Sequence, residues 1–286
     1  MTDIRTIARM LGGDVTGRDK CNVPGPGHSP RDRSLAIRIT PKGFVVHSFA
    51  DDDWKECRDY VRSRLGWADD WKQDNNKVRN MTGINDQQRR KKDALKLWNE
   101  AIDPRGTLVE TYLRKHRGLM LPDSVANSAI RFNKDLFYAG HDQPGMICLL
   151  RNIKTNEPTG IHRTFLGRYD AEKIDRRMLG IAKDAAIKFD PEISDKLTIG
   201  EGIETCLSVR EYGLSPVWAL GSAHAIGFFP VLRKVSELTI LLENDPTSHR
   251  NVSRCLDRYR GSGRVVRVIQ SRVGSDFNDA WRVRNA

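Results

Sequence analysis

Short apolar runs, cut by turn residues and spaced by amphipathic stretches, organise the chain. In the last third, residues 197–199, 216–220, 237–242 and 264–269 are compact apolar runs that read as strands. Helix-spaced segments at 203–212 and 249–259, and a short one after Gly221-Ser222, lie between them. Strand-helix alternation of this kind predicts a mostly parallel four-stranded sheet covered on both faces. The middle region reads differently. Residues 93–101, with Ala94, Leu97, Trp98 and Ala101 at helical spacing, and 107–116 predict helices. Residues 130–132 predict a short strand, 146–150 and 160–165 a hairpin, and 181–189 return to apolar alternation.

At the start, Ile4, Ile7, Ala8 and Leu11 mark one side of a helix over 3–11, ended by Gly12-Gly13. The Pro/Gly-rich loop from residue 24 leads into strands 34–39 and 44–49, joined by the turn Thr40-Pro41-Lys42-Gly43. Residues 53–65 then predict a helix with Trp54, Cys57, Tyr60, Val61 and Leu65 inward. Between these blocks, 68–92 is polar and nearly free of aliphatic residues, which predicts a linker. The expected class is α/β in the C-terminal part and α+β overall. The expected divisions are a small module (1–68), a linker (69–92), a basic α+β subdomain (93–192) and a C-terminal α/β domain (193–286).

Charge narrows the class of partner. The 286-residue chain carries 48 Lys and Arg against 37 Asp and Glu, a formal net charge of +11, and this balance favours a polyanion, nucleic acid first. Five cysteines without a CxxC pair argue against a disulfide framework and fit a reducing, cytoplasmic setting. No signal-peptide pattern and no apolar run of about 18 residues occurs, so no membrane partner is expected. Nothing reads as a P-loop, so a helicase activity would belong to another chain.

The candidate chemistry follows the strand ends. Glu201 comes directly after the run 197–199, Glu243-Asn244-Asp245 after 237–242, and Asp276 and Asp279 a short loop beyond 264–269. Carboxylates at three strand exits of an open α/β sheet face its ligand crevice, and oxygen donors suit Mg²⁺ or Mn²⁺. The plainer alternative is a set of ordinary solvated loops. Upstream, His162, Arg163, Arg168, Lys173, Arg176, Arg177, Lys183 and Lys188 form either a cationic wall for phosphates or a sheet edge guarded by charge. In the first module Cys21, His28, His47 and Cys57 are the candidate ligands of a structural zinc ion. No pair of them lies two to four residues apart, and the alternative makes the histidines hydrogen-bonded surface residues and Cys57 helix core. Arg31, Arg33 and Arg38 suit a phosphate backbone.

Two stretches carry a family resemblance. PGPGHSPRDRSLAIRI (24–39) followed by GFVVHSFADDDWKECRDYVRSRLG (43–66) resembles the N-terminal module of bacterial and phage Toprim primase-like proteins, itself similar to a worn CHC2 zinc ribbon. The family has a Cys directly before PGPGH, whereas Val23 stands there in this chain and Cys21 lies two residues earlier. GIHRTFLG and RRMLGIAKDAAIKF are similar to the basic subdomain that precedes the catalytic domain. Glu201-Gly202 and the acid-x-acid pair Glu243-Asn244-Asp245 resemble the Toprim signature, with Glu243 replacing the usual first Asp. The resemblance implies that Glu201 is a general acid or base or a metal ligand. It implies that Glu243 and Asp245 hold Mg²⁺, that Asp276 and Asp279 assist, and that Glu204 orients Glu201 or caps its helix. Gly202 and Gly221-Ser222 would approach the nucleotide. The implied activity is Mg²⁺-dependent synthesis of short RNA primers from NTPs on single-stranded DNA, in replication of a bacterial, phage or mobile element, with a separate helicase chain as partner. A Toprim nuclease or phosphohydrolase, and a nucleic-acid-binding protein with a degenerate site, are the alternatives.

Overall fold

The computed structural model describes residues 3–40, 43–50, 52–67 and 79–285, with side chains of 79–85 outside the description. Residues 68–78 of the expected linker and Pro41-Lys42 of the expected turn lie outside the described residues. The chain forms two compact units, 1–80 and 81–286.

In the first unit, α1 (Ile4–Met10) precedes a four-stranded antiparallel sheet. Its strands, β1 (Asp14–Gly17), β2 (Lys20–Val23), β3 (Leu35–Thr40) and β4 (Gly43–Ser48), pair in chain order. The apolar pattern predicts only the last two, because β1 and β2 are four residues each and have a single apolar face between them. Register places Cys21 opposite Ile37 and Val23 opposite Leu35, so all four side chains enter one core with Ile7, Cys57 and Val61. α2 (Trp54–Leu65) closes that core. Asp53 caps it by accepting from the Lys55 and Glu56 amides, and Gly66 ends it in a left-handed conformation. Trp54, expected inward, is 47% exposed in the first turn, with the Arg58 guanidinium over its ring.

In the second unit, α3 (Arg79–Glu100) begins well before residue 93, so 79–92 are helical. Next come α4 (Leu108–Thr111), which runs into a π-helical turn (Tyr112–His116), and nine strands that share one sheet. They are β5 (Ile130–Tyr138), β6 (His141–Asn152), β7 (Pro158–Leu166), β8 (Lys173–Gly180), β9 (Ala185–Lys188), β10 (Lys196–Gly200), β11 (Val217–Ala219), β12 (Glu237–Leu242) and β13 (Val265–Gln270). The order is β13-β12-β10-β11-β9-β6-β7-β8, with β5 also on β6. The four parallel strands expected are present as β13-β12-β10-β11. They continue into an antiparallel half through β9, which bonds to β11 on one side and β6 on the other.

Helices cover both faces. On one lie α4, α5 (Ile203–Glu211) and α8 (Phe277–Arg284), through Val109, Leu113, Ile203, Leu207 and Phe277. On the other, α6 (Ala223–Gly227) and α7 (Pro246–Gly261) cover the parallel half through Ile226, Val252 and Tyr259, and α3 covers the antiparallel half through Ala94 and Trp98. Among the described residues no helix is long and apolar enough to cross a membrane.

Candidate active site at the strand ends

β10 stops at Gly200, where a side-chain carbon would meet Cys206 Sγ at 2.7 Å and Leu241 at 2.8 Å. Only glycine lets strand and helix pack this closely, and the tight junction sets Glu201 at the mouth of the sheet. The Glu201 carbonyl accepts from the Gly221 amide at 2.9 Å, which ties this exit to that of β11. Glu243 leaves the neighbouring strand β12, and its amide donates to Ser248 Oγ at 3.3 Å. Asp245 caps α7 by accepting from the Thr247 and Ser248 amides with Oδ1. Asp276 caps α8 in the same way, accepting from the Asn278 and Asp279 amides. Each capping carboxylate uses one oxygen for its helix.

These acids act on one another. Burial pushes the Glu243 carboxyl up, and Glu201 and Asp276 push it further, to about 7. Burial also raises Glu201; Arg176 opposes the rise and Asp245 adds to it. The Arg176 guanidinium stands 3.9 Å from Glu201 Oε1. Beside Glu243 lies a further unsatisfied group, the buried Thr205 hydroxyl, which has no hydrogen-bond partner. A side chain at Gly202 would meet Thr205 Oγ1 at 3.1 Å and Glu243 Oε1 at 3.5 Å, so the glycine leaves this corner open. Carboxylates crowded against one another, with one arginine and an orphaned hydroxyl, are a donor set that fits a hard divalent cation. Among the described residues, no three His, Cys, Asp or Glu side chains are gathered on one point, so the acids meet across the crevice without closing on it.

The remaining expected residues are distributed unevenly. Asp279 spends its carboxylate on its own loop, accepting from the amide and hydroxyl of Ser275 at 2.8 Å each. Asn244, which no sequence pattern singles out, joins the two loops: its amide donates to Ser275 O and its side chain to Gly274 O. Glu204, expected to orient Glu201 or cap the helix, does neither. It is buried and bonds to the Tyr112 hydroxyl and to Lys173 Nζ at 3.3 Å. Burial alone would raise its carboxyl, but Lys173, Tyr112 and Arg117 overcome that and hold it at about 2.

Alternation along β8 splits the expected cationic wall. Arg177 lies opposite Arg163 in the register, Arg176 opposite Thr164, and Met178 opposite His162. Successive residues point to opposite faces, so Arg176 sits on the carboxylate side while Arg163 and Arg177 face α3, and a register shift between the Phe165–Asp175 and Leu166–Lys173 pairs brings Lys173 round to the side of Arg176. Arg163 stacks on Phe165 at 5.4 Å, and Arg177 on Tyr138 at 4.9 Å. His162 is 4% exposed, with burial lowering its imidazole to about 4, so it is a neutral core residue. Lys188 is buried over the Trp218 ring at 4.2 Å and donates to Ile153 O at 3.2 Å. Arg168 donates to Asp142 O at 3.1 Å, and Lys183 is exposed.

The first unit does not assemble Cys21, His28, His47 and Cys57. Both cysteines are core side chains whose thiols burial pushes up to about 11. His28 is held between two carboxylates, with Nδ1 2.8 Å from Asp32 and Nε2 3.1 Å from Asp52. His47 is exposed and meets Phe49 edge-on at 4.9 Å. Arg33 pairs with Asp14, Arg38 pairs with Asp19, and Arg31 is exposed.

Residues 196–286 match the Toprim domain family model, and 88–189 match that of a domain of unknown function, DUF7146. The Toprim match thus covers the C-terminal α/β part of the chain, from β10 to α8. Solved structures similar to it are primases. The Aquifex aeolicus primase (zinc-binding and RNA polymerase domains) is 12% identical over 99% of this chain and 83% of its own, with a TM-score of 0.46. The primase fragment of the bacteriophage T7 primase-helicase is 14% identical over 92% and 95%, with a TM-score of 0.45. A DNA primase domain from Pseudomonas aeruginosa is 13% identical over 63% and 68%, with a TM-score of 0.43. No curated protein matches the chain.

Proposed function

We propose that the protein is a primase-like nucleotidyltransferase that joins NTPs on a single-stranded DNA template at the Glu201–Glu243 crevice. The observation that carries this reading is the under-compensated carboxylate set on a Toprim domain: Glu201 and Glu243 are both raised, Asp245 and Asp276 stand near, and Arg176 is the cation beside them. Glu201, Glu243, Asp245 and Asp276 would hold Mg²⁺ or Mn²⁺, which supplies charge neutralisation for phosphoryl transfer. Glu201 has its affinity for protons raised and lies at the crevice mouth, which suits it to take the proton of an attacking 3′-hydroxyl. Arg176, 49% exposed at its side chain, is free to turn from Glu201 to a substrate phosphate. Asn244 keeps the loops after β12 and β13 in step, so the acids they carry move together.

The same carboxylates would serve a nuclease, and one assay separates the two. The protein is incubated with single-stranded DNA, labelled NTPs and Mg²⁺, beside Glu201→Gln and Asp245→Asn. Template-dependent short RNA that disappears in both variants supports priming. Loss of the DNA strand without NTPs assigns nuclease chemistry instead, and binding with neither product leaves a nucleic-acid-binding protein. A role for a zinc ion in the first unit is tested by metal analysis of the purified chain, with Cys21→Ser and Cys57→Ser as controls.

A further inference from the structure

Beside the Tyr112 and Lys173 side chains that hold Glu204, the second unit carries an open pocket of about 290 Å³. Three elements far apart in the chain build it: the π-helical turn, the start of β8 and the last turn of α8. Its lining is cationic. Lys115, Arg117, Lys173 and Arg282 face it, with His116 beside them and Glu172 as the only lining acid. Lys115, His116 and Arg117 follow one another at a helix C-terminus, where the backbone carbonyls favour positive charge.

The inner wall is fixed and the outer wall is not. Arg117 Nε donates to the Tyr112 hydroxyl at 2.9 Å, and its guanidinium lies over that ring at 5.3 Å. Lys173 is anchored on Glu204, and His116 Nε2 is 2.8 Å from Asp170 O. Asp276 acts on Arg117, and Arg282 on Asp279, from a longer range. Lys115 and Arg282, by contrast, have no hydrogen-bond or ion-pair partner among the described residues. Two anchored cations and two unengaged ones around one small pocket repel each other unless an anion joins them. Arginine and lysine donors converging in this way match phosphate oxygens.

The pocket suits a phosphate tail better than a strand. It is at the small end of ligand pockets, and of its two ring side chains Tyr112 is fully buried while His116 stacks on Tyr112 at 6.3 Å and is tied to Asp170 O, so no large exposed ring is offered for a base to stack on. We propose that this pocket binds the polyphosphate of a nucleotide, with Lys115 and Arg282 as the closing contacts and Glu204 as the anchor that holds Lys173 in place. The choice of a nucleotide as carrier rests on the nucleotidyl-transfer reading; the affinity for phosphate does not.

The test uses the full chain in metal-free buffer, with inorganic tripolyphosphate as the probe in calorimetric titration. Binding is expected, and Lys115→Ala and Arg282→Ala should each weaken it by about tenfold, the worth of one charge-assisted hydrogen bond. Lys115→Arg should bind like the parent. Both variants alter exposed side chains, so folding is not at risk. Tripolyphosphate affinity unchanged in both alanine variants overturns the proposal. So does an outcome in which an oligonucleotide lacking terminal phosphates loses affinity in the variants while tripolyphosphate does not. Glu201→Gln should retain tripolyphosphate binding, so absence of primer synthesis and failure of this pocket are separate results.

Discussion

Glu201 and Glu204 stand three residues apart, one in the loop after β10 and the other in the first turn of α5, yet the two places treat a carboxylate in opposite ways. Both are withdrawn from water. Glu204 is met by a tyrosine hydroxyl and a lysine, with an arginine behind, and stays ionised down to about pH 2. Glu201 is met by other carboxylates and by an arginine at 3.9 Å, and its hold on a proton is strengthened. Burial is common to both, so it does not separate a structural acid from a reactive one. What separates them is whether the fold supplies the counter-charge or leaves that to a ligand.

The contrast can be broken first at the reactive acid. Glu201→Gln should lower product formation by about 10²–10⁴-fold, the usual reach of a proton-transferring group, with an unfolding midpoint in urea at or above the parent's. The reverse split is expected at Glu204. Glu204→Ala leaves the buried Tyr112 hydroxyl and the half-buried Lys173 without their partner and should cost about 1–3 kcal/mol of stability, measured by urea unfolding, whatever it does to activity. A result with the two phenotypes exchanged would end the distinction.

A pH series sharpens it. Glu243 has a folded-state value near 7 against 4.5 for an ordinary glutamate carboxyl. The folded protein therefore binds the extra proton, and stability should fall as pH rises from about 4.5 to 7. Solvent screening limits the loss to at most about 2 kcal/mol. Glu204 has the opposite sign: its stabilisation is present above about 4.5 and is lost as pH falls toward 2. Metal-free protein should accordingly be most stable near pH 4–5, and both Glu243→Gln and added Mg²⁺ should flatten the upper limb. The smallest effect is expected at Arg176→Ala. The side chain is half exposed, so stability should change by less than about 0.5 kcal/mol. Apparent KM for NTP should rise, and the upper limb should shift as the acids lose their one opposing charge.

The parallel half of the sheet was legible because its inner strands are covered by helices on both faces and read as near-continuous apolar runs, as in Leu238, Ile240, Leu241 and Leu242 of β12, broken by Thr239. The carboxylates were legible for a related reason: an acid that ends such a run has few places to go but the strand exit. β8 was not, since KIDRRMLG carries charges on both faces and looks like a solvated loop. Its alternation is also what divided the basic cluster, sending Arg176 toward Glu201 and Arg177 toward Tyr138. The partner of Glu204 lies 92 residues upstream, at Tyr112, and no local pattern announces it. The candidate zinc ligands are not brought together: Cys21 and Cys57 sit on inward positions of β2 and α2, which is core geometry, while His28 has two aspartates within reach.

The short strand β9 has a consequence for how this chain can be divided. Its four residues bond to β11 on one edge and to β6 on the other, so the basic region and the Toprim domain are sewn into one hydrogen-bonded fabric. A fragment starting at residue 193 would keep every candidate acid yet present the raw edge of β11 to its neighbours, an invitation to self-association. The smallest heritable piece carrying this site is thus the whole of 81–286, and swapping the Toprim domain between relatives at its family boundary would cut through a seam instead of a hinge.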